Sequence, residues 1–210
     1  MANNDTARRR AVSDDEKELR RESILAAAKG VFAEKGYHAT TIADVAKRAE
    51  ISYGSVYWYF DSKEALFHAL IDAQEQAFRD YLGDSFATAA SGGSDAVGAF
   101  KSAVRATFEF FESDRAATKL LFRDAYALGE GYEQHLYDIY EVYIGEIESV
   151  LRQLQETGIV REAPPRVMAF TVAALVSQLS HRRLVTDDGL DAATVADFVV
   201  DMLVDGILVH

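Results

Sequence analysis

Between Thr40 and Glu64 the chain reads TTIADVAKRAEISYGSVYWYFDSKE, and the rest of the sequence is best understood outward from this segment. It divides into a short helical run, Ile42 to Arg48, a break at Ala49-Glu50-Ile51, and a second run, Tyr53 to Phe60. Ile42, Val45 and Ala46 recur at helical spacing and make one apolar face. Val56 and Phe60 make the matching face of the second run, with Ile51 in the turn. Thr41 with Asp44, and Ser52 with Ser55, fit N-caps, in which a side-chain oxygen satisfies a backbone N–H that the helix leaves orphaned. Two short helices sharing an apolar seam across a three-residue turn describe a helix-turn-helix. The outer face of the second run carries Ser52, Tyr53, Gly54, Ser55, Tyr57, Trp58 and Tyr59, a polar-aromatic set with no acid.

This segment, with AAAKGVFAEKGYHATTI before it and a helix starting at Ser62-Lys63-Glu64 after it, resembles the DNA-binding domain of TetR-family transcriptional regulators. Phe32, Gly36, Thr40, Thr41, Ile42, Val45, Ala46, Ser52, Gly54, Tyr57, Tyr59, Phe60, Ser62, Lys63 and Leu66 carry the resemblance, about a fifth of the chain. It implies an all-α fold. A three-helix helix-turn-helix domain at the N-terminus binds DNA, and a C-terminal helical domain binds ligand and dimerises. The resemblance places Thr40 and Thr41 on the DNA backbone. It puts Ser52, Tyr53, Gly54, Ser55 and Trp58 nearest the base edges, and makes Tyr57, Tyr59 and Lys63 phosphate contacts. Gly54 removes a side chain where backbone would approach the duplex. The reading run lacks the Arg, Asn and Gln that usually specify bases. Readout would then rest on hydroxyls, methyl contacts and DNA shape.

The net charge of −12 looks wrong for a DNA binder until it is divided along the chain. Residues 1–66 hold 11 Lys/Arg and 11 Asp/Glu, whereas residues 67–210 hold 11 and 23. The imbalance therefore lies wholly in the body, and a phosphate backbone would be met by the neutral end. Two prolines and no cysteine argue against a disulfide scaffold, a zinc ribbon or a thiol enzyme. No apolar run follows Arg8-Arg9-Arg10 as in a signal peptide, and Val167 to Val176 is shorter than the ~20 residues a bilayer span needs. A cytoplasmic protein without a membrane segment is expected.

Residues 1–13 read as a disordered basic arm, residues 14–66 as the DNA-binding domain, and residues 67–210 as the body. Arg8, Arg9 and Arg10 could follow phosphates or remain solvated. Ser13 with Glu16 fits a capping box for the first helix, which would bury Ile24, Leu25, Ala28, Val31 and Phe32 and end at Gly36. Lys17, Arg20 and Arg21 fall on its polar side, open either to a phosphate or to water. A long amphipathic helix is expected from Lys63 to about Leu82, then a loop over Ser85 to Asp95.

Further helices are expected around Val97 to Phe111, Leu120 to Tyr126, Tyr132 to Gln155, Val167 to Leu184 and from Asp191 on. By the resemblance, those in the middle of the body surround a small-molecule effector, with Phe100, Phe108, Phe111, Tyr126 and Tyr140 as lining. Arg105 and Arg123 would meet an acidic head group, or instead pair with Glu109, Glu112 or Asp124. Each aromatic could equally be core. The last two helices exceed what a monomer can hide, and the resemblance pairs them with a second copy, Leu175 and Phe198 lying in the seam. The expected partners are therefore an operator in double-stranded DNA, an effector of hydrophobic or acyl type, and a second chain. No cofactor, metal or catalytic residue is expected: there is no Gly-rich phosphate loop, no Glu-x-x-His pair, and the five histidines are dispersed. The rival readings are an interaction module that has lost DNA binding and an α-helical enzyme.

Overall fold

The structure, a computed structural model, describes residues 2–93, 95–120, 130–186 and 189–207. All regular elements among the described residues are helical. They are α1 (Ala2–Ala39), α2 (Ile42–Arg48), α3 (Tyr53–Tyr57), α4 (Lys63–Ser91), α5 (Ala96–Ser113), α6 (Arg115–Lys119), α7 (Glu130–Glu156), α8 (Pro165–Val185) and α9 (Ala192–Ile207). They form two compact units, Met1–Ala73 and Gln74–His210.

The first unit closes on Ile24, Ala28 and Phe32 of α1, Val45 of α2, Val56 of α3, and Leu66 and Phe67 of α4, all with no exposed surface or nearly none. Phe32 meets Phe67 edge-on at 5.0 Å between ring centroids. Complete burial of one such side chain contributes ~1.5–3 kcal/mol, which is large for helices as short as α2 and α3. α1 is interrupted at Gly36, whose φ of 79° is open to glycine and strained for other residues. At its other end the helix differs from expectation. Backbone turns run back to Ala2, where a disordered arm and a cap at Ser13 were expected. Nothing from Ala2 to Lys29 is proline or glycine, so no residue in that stretch stops the helix.

The second unit has two apolar clusters that share α8. Val104 and Phe108 of α5 pack with Val172 and Val176 of α8 and with Ala196, Val199, Val200 and Leu203 of α9. On the other side, Met168, Ala169 and Ala173 of α8 meet Ile144, Leu151 and Leu154 of α7, with Val160 below them. This double role explains why α8 reads as apolar on several faces. Leu175 belongs to the first cluster, partly buried against it, and is not a free seam residue. The expected loop from Ser85 shrinks to the turn after Ser91, because α4 continues through the alanines at 87, 89 and 90. Asp95 caps α5 through the Gly98 N–H at 2.8 Å, and Asp114 both ends α5 and caps α6 through Ala117 N–H at 3.0 Å.

Candidate DNA-binding surface

Thr41 and Asp44 form a complete capping box at the start of α2. The Thr41 hydroxyl accepts from Asp44 N–H at 3.2 Å, and the Asp44 carboxylate accepts from Thr41 N–H at 3.0 Å. Lys35 of α1 closes on the same carboxylate at 2.6 Å. The Lys35 ammonium, helped by Thr41, holds the Asp44 carboxyl well below its ordinary range, at about 2. The turn after α2 passes through Glu50 at φ 56°, a left-handed position more usually filled by glycine. Ile51 N–H then donates back to Ala46 C=O at 3.0 Å, and the chain enters α3 with Ser52 as its N-cap, accepting from Ser55 N–H at 3.1 Å.

This turn holds α3 with Val56 inward, fully buried, and its opposite face in solvent. On that face Ser52 and Gly54 are exposed, and the Ser52 and Ser55 hydroxyls share a hydrogen bond of 2.6 Å. Tyr53 and Tyr57 stand side by side, rings 5.2 Å apart and hydroxyls 3.1 Å apart. A Cβ built on Gly54 would meet nothing within 4 Å, so nothing in the unit itself requires glycine there. α3 ends at Tyr57, earlier than the expected Phe60, so Trp58 and Tyr59 sit in the turn toward α4. Trp58 is 88% exposed, and Phe60 is buried as expected.

Two of the expected DNA contacts are engaged within the unit. Thr40 is buried; its hydroxyl donates to Gly36 C=O at 2.8 Å and its N–H to Tyr37 C=O. It therefore joins the end of α1 to α2, and has no side-chain atom to offer a phosphate. The Lys63 ammonium lies 2.9, 3.4 and 3.0 Å from the carbonyl oxygens of Tyr37, His38 and Thr40. It also sits 4.3 Å from the Tyr37 ring centroid. An ammonium has three N–H donors, and here each has a carbonyl. The last carbonyls of a helix have no partner of their own, and a cation is favoured at that end. Lys63 thus fastens the start of α4 to the end of α1. Residue spacing could not show this, because the acceptors lie more than twenty residues away.

Between α1 and α3 the surface falls into an open groove of about 490 Å³ lined by Lys17, Arg20, Ser52, Ser55, Trp58 and Tyr59. Arg20 is exposed and makes no hydrogen bond or ion pair among the described residues. Lys17 meets Asp14 at 3.8 Å, both side chains being about two-thirds exposed. Three other cations of the unit pair with acids: Arg21 with Glu18, Lys35 with Asp44, and Arg48 with Glu34.

Among the described residues, those expected to line an effector site fall in different clusters. Phe108 is wholly buried in the α5/α8/α9 cluster, with Phe100 packed against its edge. Tyr140 belongs to the α7/α8 cluster and meets Phe170 edge-on at 6.3 Å. Arg105 is exposed and pairs with Asp197 of α9, an acid distant in sequence and not one of Glu109, Glu112 and Asp124. Arg123 and Tyr126 lie outside the described residues. Phe111 stacks on Phe78 of α4, with ring centroids 5.5 Å apart, and Phe78 also touches Phe110 and Tyr143. Burial pushes the Tyr143 phenol up to about 12, against a hydrogen bond with Thr107 that lowers it. The sequence does not single out Phe78 or Phe110, and Tyr143 reads only as part of an apolar helix face. Among the described residues no group of His, Cys, Asp and Glu could hold a metal, and no helix is long and apolar enough to cross a membrane.

A capped, two-helix reading head with an acid-free outer face defines a helix-turn-helix protein. Residues 24–70 match the family model for "Bacterial regulatory proteins, tetR family". Over those residues the chain is similar to the DNA-binding region of that family. It is 34% identical over 107 residues to the transcriptional activator FasR of Mycolicibacterium smegmatis, covering 51% of this chain and 47% of that protein. It is 32% identical over 101 residues to the transcriptional repressor KstR2 of Rhodococcus jostii, covering 48% of each. These alignments thus span about half the length of either relative. The fold is similar to that of the regulator FadR from Bacillus subtilis in complex with stearoyl-CoA, with a TM-score of 0.79 and 19% identity over 90% of this chain and 99% of that one.

Proposed function

We propose that this chain is a sequence-specific DNA-binding regulator, acting as a homodimeric repressor that a small molecule releases. The observation that carries the reading is the outer face of α3. Ser52, Tyr53, Gly54 and Tyr57 are held in solvent by a fully buried Val56 behind them and a capped turn in front. A short helix presenting hydroxyls and aromatic edges, with an open backbone at Gly54, suits the major groove of B-DNA. A twofold dimer offers two such heads to half-sites about one helical turn apart. Acting on the chromosome places the protein in the cytoplasm.

The second copy pairs through α8 and α9, where Val167, Phe170, Phe198 and Met202 stand exposed. The effector is a hydrophobic or acyl-type molecule. The aromatic group of Phe78, Phe110, Phe111 and Tyr143 supports an apolar ligand, and the B. subtilis FadR structure contains an acyl-CoA. Release requires the ligand to bind the DNA-free state better than the DNA-bound one. A ~100-fold preference corresponds to roughly 2.7 kcal/mol of coupling. Fluorescence anisotropy on the DNA upstream of the protein's own gene, beside a scrambled duplex, tests the reading. Tight, salt-weakened binding to the upstream DNA alone is the expected result. Failure to bind either duplex at low salt would return the chain to the interaction-module class.

A further inference from the structure

Lys63 is engaged with three carbonyls inside the unit, whereas the groove beside α3 is lined by two exposed cations. We propose that the groove between α1 and α3 is a phosphate-backbone seat, with Lys17 and Arg20 as its cations and Trp58 as its apolar wall. The inference rests on the DNA-binding reading above and says which residues supply its electrostatic part.

Four observations converge on this groove. First, its lining contains cations and hydroxyls and no carboxylate. Second, Arg20 has no hydrogen bond or ion pair among the described residues, whereas Arg21, Lys35 and Arg48 each pair with an acid. A guanidinium presents a planar fork that matches phosphate oxygens two at a time. Third, the Ser52 and Ser55 hydroxyls bond each other at 2.6 Å. That contact uses one of their two protons, and the other remains to donate. Fourth, Trp58 is 88% exposed, the most exposed large apolar side chain among those described. Deoxyribose offers such a ring an apolar surface beside each phosphate. A free anion would need the cations alone. A strand of DNA also uses the neighbouring tryptophan and the adjacent reading face.

Salt dependence separates this assignment from its rivals. Each phosphate neutralised by a side chain steepens the fall of log K with log salt by ~0.9. Binding of the full-length protein to a random-sequence duplex, followed by anisotropy between about 50 and 200 mM salt, needs no knowledge of the operator. Lys17→Gln with Arg20→Gln should weaken low-salt binding at least ~10-fold and make the slope shallower by ~0.9 or more for each head. Lys17→Arg with Arg20→Lys should restore the slope. Lys119→Gln, the loss of one positive charge in the other unit, should leave it unchanged. Lys63→Met should lower the melting temperature while its folded fraction keeps the wild-type slope. All the groove substitutions are at exposed positions, so their melting curves should match that of the wild type. An unchanged slope in the groove variant, or a slope lost in Lys63→Met alone, overturns the assignment and leaves the regulator reading standing. Wild-type protein that binds no duplex at the lowest salt would overturn both.

Discussion

Gly54 shows how a single residue can be explained only by something outside the chain. A Cβ there would touch nothing, so alanine should stabilise the free protein by up to ~1 kcal/mol, as glycine-to-alanine changes in helices do. If the α3 backbone approaches the duplex at this point, Gly54→Ala should also cost at least ~10-fold in DNA affinity, ~1.4 kcal/mol. Melting curves and anisotropy on one preparation check both; higher stability with unchanged affinity would place DNA away from Gly54. Asp44 behaves oppositely, serving the fold alone. Its carboxyl is held at about 2 by Lys35 and Thr41, so the unfolded chain binds the proton more readily, and stability rises with pH through that window. The contribution should be complete above the ordinary carboxylate range near ~4 and should fade as pH falls toward 2. Asp44→Asn should melt lower than wild type at neutral pH, with the gap closing on acidification through that range. A gap independent of pH would contradict the cap. Both caps at the reading head could be read from sequence, because Thr41 with Asp44 and Ser52 with Ser55 are contacts three residues apart. Lys63 could not, because its partners are fixed only once α1 and α4 meet. The left-handed turn at Glu50 gave no signal either, since no glycine marks it.

Among the elements, the short helices were legible and the ends of the long ones were not. α2 begins at Ile42 and ends at Arg48, as its apolar spacing and caps imply. α1 and α4 overran their expected ends, because Gly/Ser-rich or charged composition marks a loop only when no tertiary contact or alanine run carries the helix through. In α4 the last turns are anchored by Ala89, which is buried. Ala89→Pro should therefore cost ~3 kcal/mol and visibly lower the helical circular dichroism signal. If that segment were a loop, proline would be tolerated and the melting temperature would stay within a degree or two. The apolar surplus of α8 suggests a partner chain, yet Met168, Val172, Leu175, Val176 and Leu179 all belong to or pack against two internal clusters. Periodicity could not separate those faces, since a helix packed on both sides has no single stripe.

For the whole molecule, the charge division along the chain remains the most informative feature of composition: a neutral first third and an acidic body. It says which end DNA would meet, and the groove beside α3 holds Lys17 and Arg20 on that end. Assembly through α8 and α9 is tested with the side chains that stand free. Phe170→Glu with Phe198→Glu should give a monomer in sedimentation at an unchanged melting temperature after concentration is allowed for, because both rings are more than half exposed. A dimer that survives would move the seam to another face. Phe108 and Leu175, which belong to the core, would unfold the unit instead and cannot serve that purpose. The ligand class was the least legible part, since aromatic spacing looks the same whether the rings line a chamber or fill a core.

The central claim is that the exposed face of α3 reads DNA sequence. The direct measurement is selection of duplexes from a random pool by the purified wild-type protein, with the Gly54→Ala variant selected in parallel. Enrichment of an inverted repeat whose half-sites lie about one helical turn apart is expected for the wild type, weakened or lost in the variant. Retention of duplexes without any enriched motif, by a protein that still binds in a salt-dependent way, would contradict sequence reading and leave only a DNA-coating role.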